Sequence, residues 1–137
     1  MSGWIGVDFD GTLAEYGTWV GASHVGKPIP AMVERVKRWR TEGREVRIFT
    51  ARMYPFAVCL RPQDDVAADQ SGGWSDLNRG AYESIQAIRA WCREHLGEVL
   101  PITCVKDYGM VELWDDRAVQ VRANTGEPVG YSTRGLA

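Results

Sequence analysis

The chain has 137 residues, 45% of them hydrophobic and 25% charged, with a formal net charge of −2. That length suits one domain, residues 1–137, with a single sizeable core, and the near-neutral charge argues against wrapping a long polyanion. No apolar run approaches the ~20 residues that a bilayer span needs. An apolar strand this close to the first residue leaves no room for a signal peptide, so a cytoplasmic protein without membrane partners is expected.

Residues 3–9 read as the first strand, central and buried because the run is continuously apolar. It ends in Asp8-Phe9-Asp10-Gly11-Thr12. Residues 13–27, with Tyr16, Gly17, Trp19, Gly21 and Gly26, suggest a flap rather than a domain. Pro30 suits a helix start and Gly43 its stop, with Met32, Val33, Val36 and Trp39 at helical spacing between them. Residues 45–50 form the second strand, closing on Thr50-Ala51-Arg52.

The segment 53–76 has no periodicity but holds Tyr54, Phe56, Arg61, Asp64, Asp65, Asp69 and Trp74. A structureless connection of this length is either a lid over a site or an insertion loop. Residues 77–96 form the second helix, with Leu77, Ala81, Ile85, Ile88, Cys92 and Leu96 on one stripe and Gly97 as its stop. Short strands are expected near 102–105, 111–115 and 119–122, with Asn124-Thr125-Gly126 as a turn and a loosely held tail beyond. Alternating strands and helices predict an α/β class with a central, largely parallel sheet. Cys59, Cys92 and Cys104 are odd in number and lack metal or redox spacing, which fits reduced thiols.

The chemistry-bearing residues sit at the ends of these strands. Residues two apart on a strand face one side, so Asp8 and Asp10 leave the sheet together and their charges repel. A cation or a shared proton must offset that repulsion. Thr50, Lys106 and the pair Asp115-Asp116 likewise lie at or just past the carboxyl ends of apolar runs, the edge where open parallel sheets bind ligands. Read without that company, Asp8-to-Thr12 is an ordinary turn, Thr50 a β-branched strand residue and Lys106 a surface amine.

The ordered set Asp8-x-Asp10-Gly11-Thr12, Thr50, Lys106 and Asp115-Asp116 resembles the haloacid dehalogenase-like (HAD) superfamily across residues 5–117. The resemblance implies a three-layer, Rossmann-like HAD fold and a Mg²⁺-dependent phosphatase that acts on a phosphomonoester through an aspartyl-phosphate. It makes Asp8 the nucleophile, Asp10 the acid and then the base, and Thr50 and Lys106 the partners of the phosphate. Backbone donors would come from Phe9, Asp10, Gly11 and Ala51. The Asp8 carboxylate, the Asp10 carbonyl and Asp115 would hold Mg²⁺, with Asp116 behind them or acting through water. The hard oxygen donors suit that ion. Too few residues separate Lys106 from Asp115 for a crossover helix, a spacing that some small members share.

The stretch from Asp10 to Thr50 has room for the flap and one helix but no cap domain. The chain therefore resembles the small, capless members, whose open site suits bulky substrates or closure by a lid or a neighbouring copy in a homo-oligomer. Asp115-Asp116-Arg117, with Val119 and Val121 after it, is also similar to the phosphatase part of polynucleotide kinase-phosphatases. The alternative substrate is then a 3′-phosphorylated nucleic-acid end or a nucleotide. A phospho-acceptor receiver domain uses similar groups in the wrong order. The reading of another class is a non-catalytic binding or assembly protein on the same scaffold.

Overall fold

The computed structural model describes residues 2–66 and 73–130. In chain order they form β1 (Trp4–Val7), α1 (Pro30–Thr41), β2 (Glu45–Phe49), a 3-10 turn (Ala51–Met53), β3 (Cys59–Leu60), α2 (Asp76–His95), β4 (Ile102–Thr103) and β5 (Met110–Trp114). The strands make one sheet in the order β3-β4-β2-β1-β5. Every neighbouring pair is parallel except β3 with β4, so the expected α/β class and largely parallel sheet hold.

The helices begin and end for local reasons. Pro30 opens α1, where its missing N–H costs no hydrogen bond, and Gly43 closes the turn after it with φ +83°. Ser75 caps α2 by accepting the Asn78 amide at 3.2 Å.

Connection handedness then decides where the helices go. The steps β1–α1–β2 and β2–α2–β4 both advance in one direction, and right-handed crossovers put both helices on one face. The core lies there. Ile5, Val7, Val46, Ile48 and Ile102 from the sheet pack with Met32, Val33 and Val36 of α1 and with Ile85, Ile88 and Cys92 of α2.

The step from β4 to β5 reverses direction, passing β2 and β1, and belongs on the opposite face. Only residues 104–109 make that step, too few for a helix. They are pinned by Trp4. Its amide donates to the Gly109 carbonyl at 2.7 Å and its indole N–H to Asp107 Oδ1 at 2.8 Å. The Arg47 guanidinium lies over the same indole, 4.5 Å from its centroid, and pairs with Asp107 at 3.6 Å. The second helical layer that a three-layer arrangement requires has no counterpart among the described residues.

Three local expectations change. The segment 53–76 contains a real edge strand, β3, and is docked: Arg89 of α2 donates to the carbonyls of Arg61 and Asp64. Its residues 67–72 lie outside the described residues, as does the tail beyond 130. Leu77 is 55% exposed instead of core, because the first turn of α2 borders an open cavity. Residues 119–122 form no strand; Val121 makes a single bridge to Pro128 within an exposed hairpin. The three cysteines are free thiols, Cys92 buried and the others half-buried. Among the described residues no helix is long and apolar enough to cross a membrane.

One-sided packing makes a contrast that urea unfolding can read. Ile48→Ala, at a fully buried site, should cost about 2–5 kcal/mol. Leu113→Ala, on the thinly covered face, should cost less than about 1 kcal/mol. Equal losses would mean that the two faces are packed alike.

Candidate functional site

The chain reverses its direction of sheet growth between β1 and β5, and a crevice opens at the carboxyl ends of strands at such a switch point. Asp8 continues the β1 ladder, its amide donating to the Trp114 carbonyl at 2.9 Å, so the two strand tips stay in register as they leave the sheet. Carboxylate oxygens of Asp8, Asp115 and Asp116 therefore all lie within 4.8 Å of one another. Thr12 locks the cluster. Its hydroxyl donates to Asp116 Oδ1 at 3.1 Å and accepts the Asp116 amide at 3.0 Å. Gly11 is required between them, because at φ +85° a Cβ there would lie 2.6 Å from Asp116 Oδ2.

This packing raises the Asp8 carboxyl from 3.8 to about 7. Burial is the main cause, followed by its hydrogen bond with Asp116 and the charges of Asp115 and Asp116; the Phe9 amide opposes the shift. Three acids held this close are under-neutralised, and all three offer hard oxygen donors. The set fits a divalent cation such as Mg²⁺.

Asp10 faces a different partner. Arg52 Nε donates to Asp10 Oδ2 at 2.6 Å and Nη2 to Oδ1 at 3.0 Å, a two-pronged ion pair. The same guanidinium donates to the carbonyls of Ala22 and His24 in the flap and to Ser84 Oγ on α2. The flap is closed at its base by Glu15 N to Lys27 O at 2.8 Å, and Trp91 of α2 donates to the Gly26 carbonyl. Thr50 is buried at the end of β2, its hydroxyl accepting the Arg52 amide at 3.2 Å.

Asp8, Asp10, Thr50, Ala51, Asp115 and Asp116 all line one cavity of about 590 Å³. The other expected groups are arranged differently. Lys106 is exposed, lies on the 104–109 connection and does not line the cavity. The cations that do are Arg52 and Arg117. Of the expected backbone donors, Phe9 is turned to the Asp8 carboxylate and Gly11 donates to the Ala14 carbonyl at 2.8 Å. The amides of Asp10 and Ala51 make no hydrogen bond with a described residue and remain available to a ligand. Arg52 carries the largest unforeseen part. Its signal was an arginine two residues past a strand-end threonine, where a tight turn folds it back over the same edge.

No protein-family model matches the chain, and neither the curated proteins nor the solved structures give a match.

The Asp8 shift makes a linkage test. A carboxyl raised in the folded state binds its proton more tightly folded than unfolded. Without a cation, stability should therefore fall as pH rises from about 4 to about 7 and level off above that. Thermal unfolding in chelator should show that slope in the wild type and a flatter one in Asp8→Asn. Added Mg²⁺ should raise the wild-type Tm more at pH 8 than at pH 5; no difference between the two would remove the cation site.

Proposed function

We propose that the chain is a Mg²⁺-dependent phosphomonoester hydrolase of the haloacid dehalogenase-like kind, reduced to one helical layer and without a cap. The observation that carries this reading is the meeting of Asp8, Asp115 and Asp116 at the switch point, with Asp10 two residues on and held separately by Arg52. Two carboxylates at one strand tip, in different environments, suit two different tasks.

Asp8 would supply the nucleophilic oxygen. Its Oδ–phosphorus bond forms as the ester oxygen–phosphorus bond breaks, and Asp10, which takes up a proton from solvent on one oxygen when the ester is bound, gives that proton to the departing oxygen. Water then attacks the aspartyl-phosphate, gives its proton to Asp10 and frees Asp8 and inorganic phosphate. Thr50 and the open amides of Asp10 and Ala51 would hold phosphate oxygens. The Asp8 carboxylate, the Asp10 carbonyl and Asp115 would hold Mg²⁺, with Asp116 fixed behind them by Thr12. When bound, the ion neutralises charge on the phosphate and keeps Asp8 ionised for attack. Positive charge on the side away from the metal would come from Arg52 and Arg117 in place of a lysine.

Phosphate release from p-nitrophenyl phosphate with Mg²⁺ tests this. Asp8→Asn should abolish turnover and the trapping of beryllium fluoride, while Asp10→Asn should stop turnover and still trap the analogue. Asp115→Ala should raise the Mg²⁺ requirement far more than Asp116→Ala. Wild-type activity in Asp8→Asn would sink the mechanism, and inactivity of the wild type across a broad panel of esters would leave the non-catalytic reading.

The cation assignment gives a separate expectation. Lys106→Ala should stay within about twofold of wild type, as an exposed side chain away from the cavity predicts. Arg52→Lys should lose at least about tenfold, since an ammonium cannot reproduce the two-pronged hold on Asp10. The reverse pattern would return the amine role to Lys106.

A further inference from the structure

One part of the cavity wall has a character opposite to that of the carboxylate cluster. Tyr16 and Trp19 come from the flap, Tyr54 from the end of the 3-10 turn and Leu77 from the first turn of α2. Their exposures are 42%, 56%, 61% and 55%. Large apolar side chains left open together in a concavity mark a place where a ligand covers them. Trp19 is the member of this patch with a charged neighbour on its ring. The Arg52 guanidinium lies over its ring, 4.8 Å from the centroid, and the ring's exposure leaves room for a second planar group.

That same guanidinium binds Asp10 through two hydrogen bonds. The Trp19 ring thus stands one guanidinium away from the Asp10 carboxylate. Asp8 and Trp19 line the same cavity, so a ligand that joins a phosphate to a planar ring through a short polar spacer of pentose size has both partners in one concavity. Charge restricts what the spacer carries. Arg52 already serves Asp10 and, in the proposed mechanism, the reacting phosphate, so Arg117 is the remaining cation lining the cavity among the described residues, against Asp8, Asp10, Asp76, Asp115 and Asp116. A second phosphate on the leaving group would meet repulsion there, which counts against diphosphates and sugar bisphosphates. An uncharged sugar with a flat base meets none.

We infer that the Tyr16–Trp19–Tyr54 wall is a subsite for a nucleobase, and that the ester is the phosphate of a nucleoside. The inference rests on the phosphomonoesterase reading for its chemistry and on the aromatic wall for its specificity. The terminal phosphate of an oligonucleotide carries the same chemistry, but its inner phosphates bring the disfavoured charge. The free mononucleotide is therefore the better substrate.

The test measures kcat/KM with Mg²⁺ for nucleoside 3′- and 5′-monophosphates, a 3′-phosphorylated oligonucleotide and glycerol phosphate, which has no base. Mononucleotides should exceed glycerol phosphate by at least about tenfold, the scale of one base–aromatic stack. Trp19→Ala and Tyr54→Ala should each cut that ratio severalfold, and Trp19→Phe should keep most of it. A ratio that neither alanine change moves overturns the subsite while leaving the phosphatase reading intact. A faster oligonucleotide than mononucleotide moves the source to nucleic-acid ends and overturns the charge argument.

A second measurement covers the case in which no ester is hydrolysed. Calorimetric binding of an unphosphorylated nucleoside to the wild type, weakened in Trp19→Ala, keeps the subsite while the phosphatase reading fails. No nucleoside binding to the wild type overturns the subsite. Both tested side chains are more than half exposed, so neither alanine change removes core packing.

Discussion

Arg52 is the point on which the upper half of the molecule is assembled. A guanidinium has five N–H donors and cannot shed its charge, so burying it is costly unless each donor finds an acceptor. Here two go to Asp10 and the rest to the carbonyls of Ala22 and His24 and the hydroxyl of Ser84. Those acceptors come from the tip after β1, the flap and α2. One side chain therefore sets the height of the flap above the sheet and the direction of the Asp10 carboxylate. Removing it would strand a carboxylate and two carbonyls together, which is why flap, helix and strand tip are coupled rather than independently adjustable.

The acidic cluster next to it has the opposite economy. Thr12, Gly11 and the Asp8–Trp114 ladder bond hold three carboxylates where mutual repulsion would separate them. Folding therefore works against electrostatics at the one place where the sheet changes its direction of growth. Strain of this kind survives only where the surrounding structure over-determines it, and it marks a site more than a packing solution. The contrast with Asp10 separates two acids two residues apart: one pushed up in pKa by burial and its acidic neighbours, the other already paired with a fixed cation.

What could be read in advance follows from the range of the interactions involved. Strand tips and their acids were legible because an apolar run followed by Asp-x-Asp-Gly-Thr is a local pattern, and the sheet's parallel character followed from alternation. The helices were legible through period and caps. What failed was non-local. Leu77 carries the right helical phase for the core, but nothing in its neighbourhood tells that the first turn of α2 borders an open cavity. The strand β3 is two residues long and exists only by pairing Cys59 and Leu60 with β4. Val119 and Val121 look like a strand but find no sheet edge, pairing with their own hairpin.

Lys106 and the missing helical layer are one fact seen twice. The return from β4 to β5 must cross two strands, with only residues 104–109 to do so. That path is held by the small cluster of Trp4, Arg47 and Asp107, a cation–π contact and an ion pair standing where a helix would have packed. A helix there could have carried a lysine up to the strand tips; an extended connection held down by Asp107 leaves Lys106 in solvent. In the proposed mechanism the positive charge on the phosphate would then come from elements that already reach the cavity, the turn after β2 and the residue after Asp116. With so short a connection, the proposed mechanism rests on two arginines instead of an amine. In the proposed mechanism Arg52 would then have a second task besides holding the flap, and the same short connection would bear on both the architecture of the sheet and the electrostatics of the site.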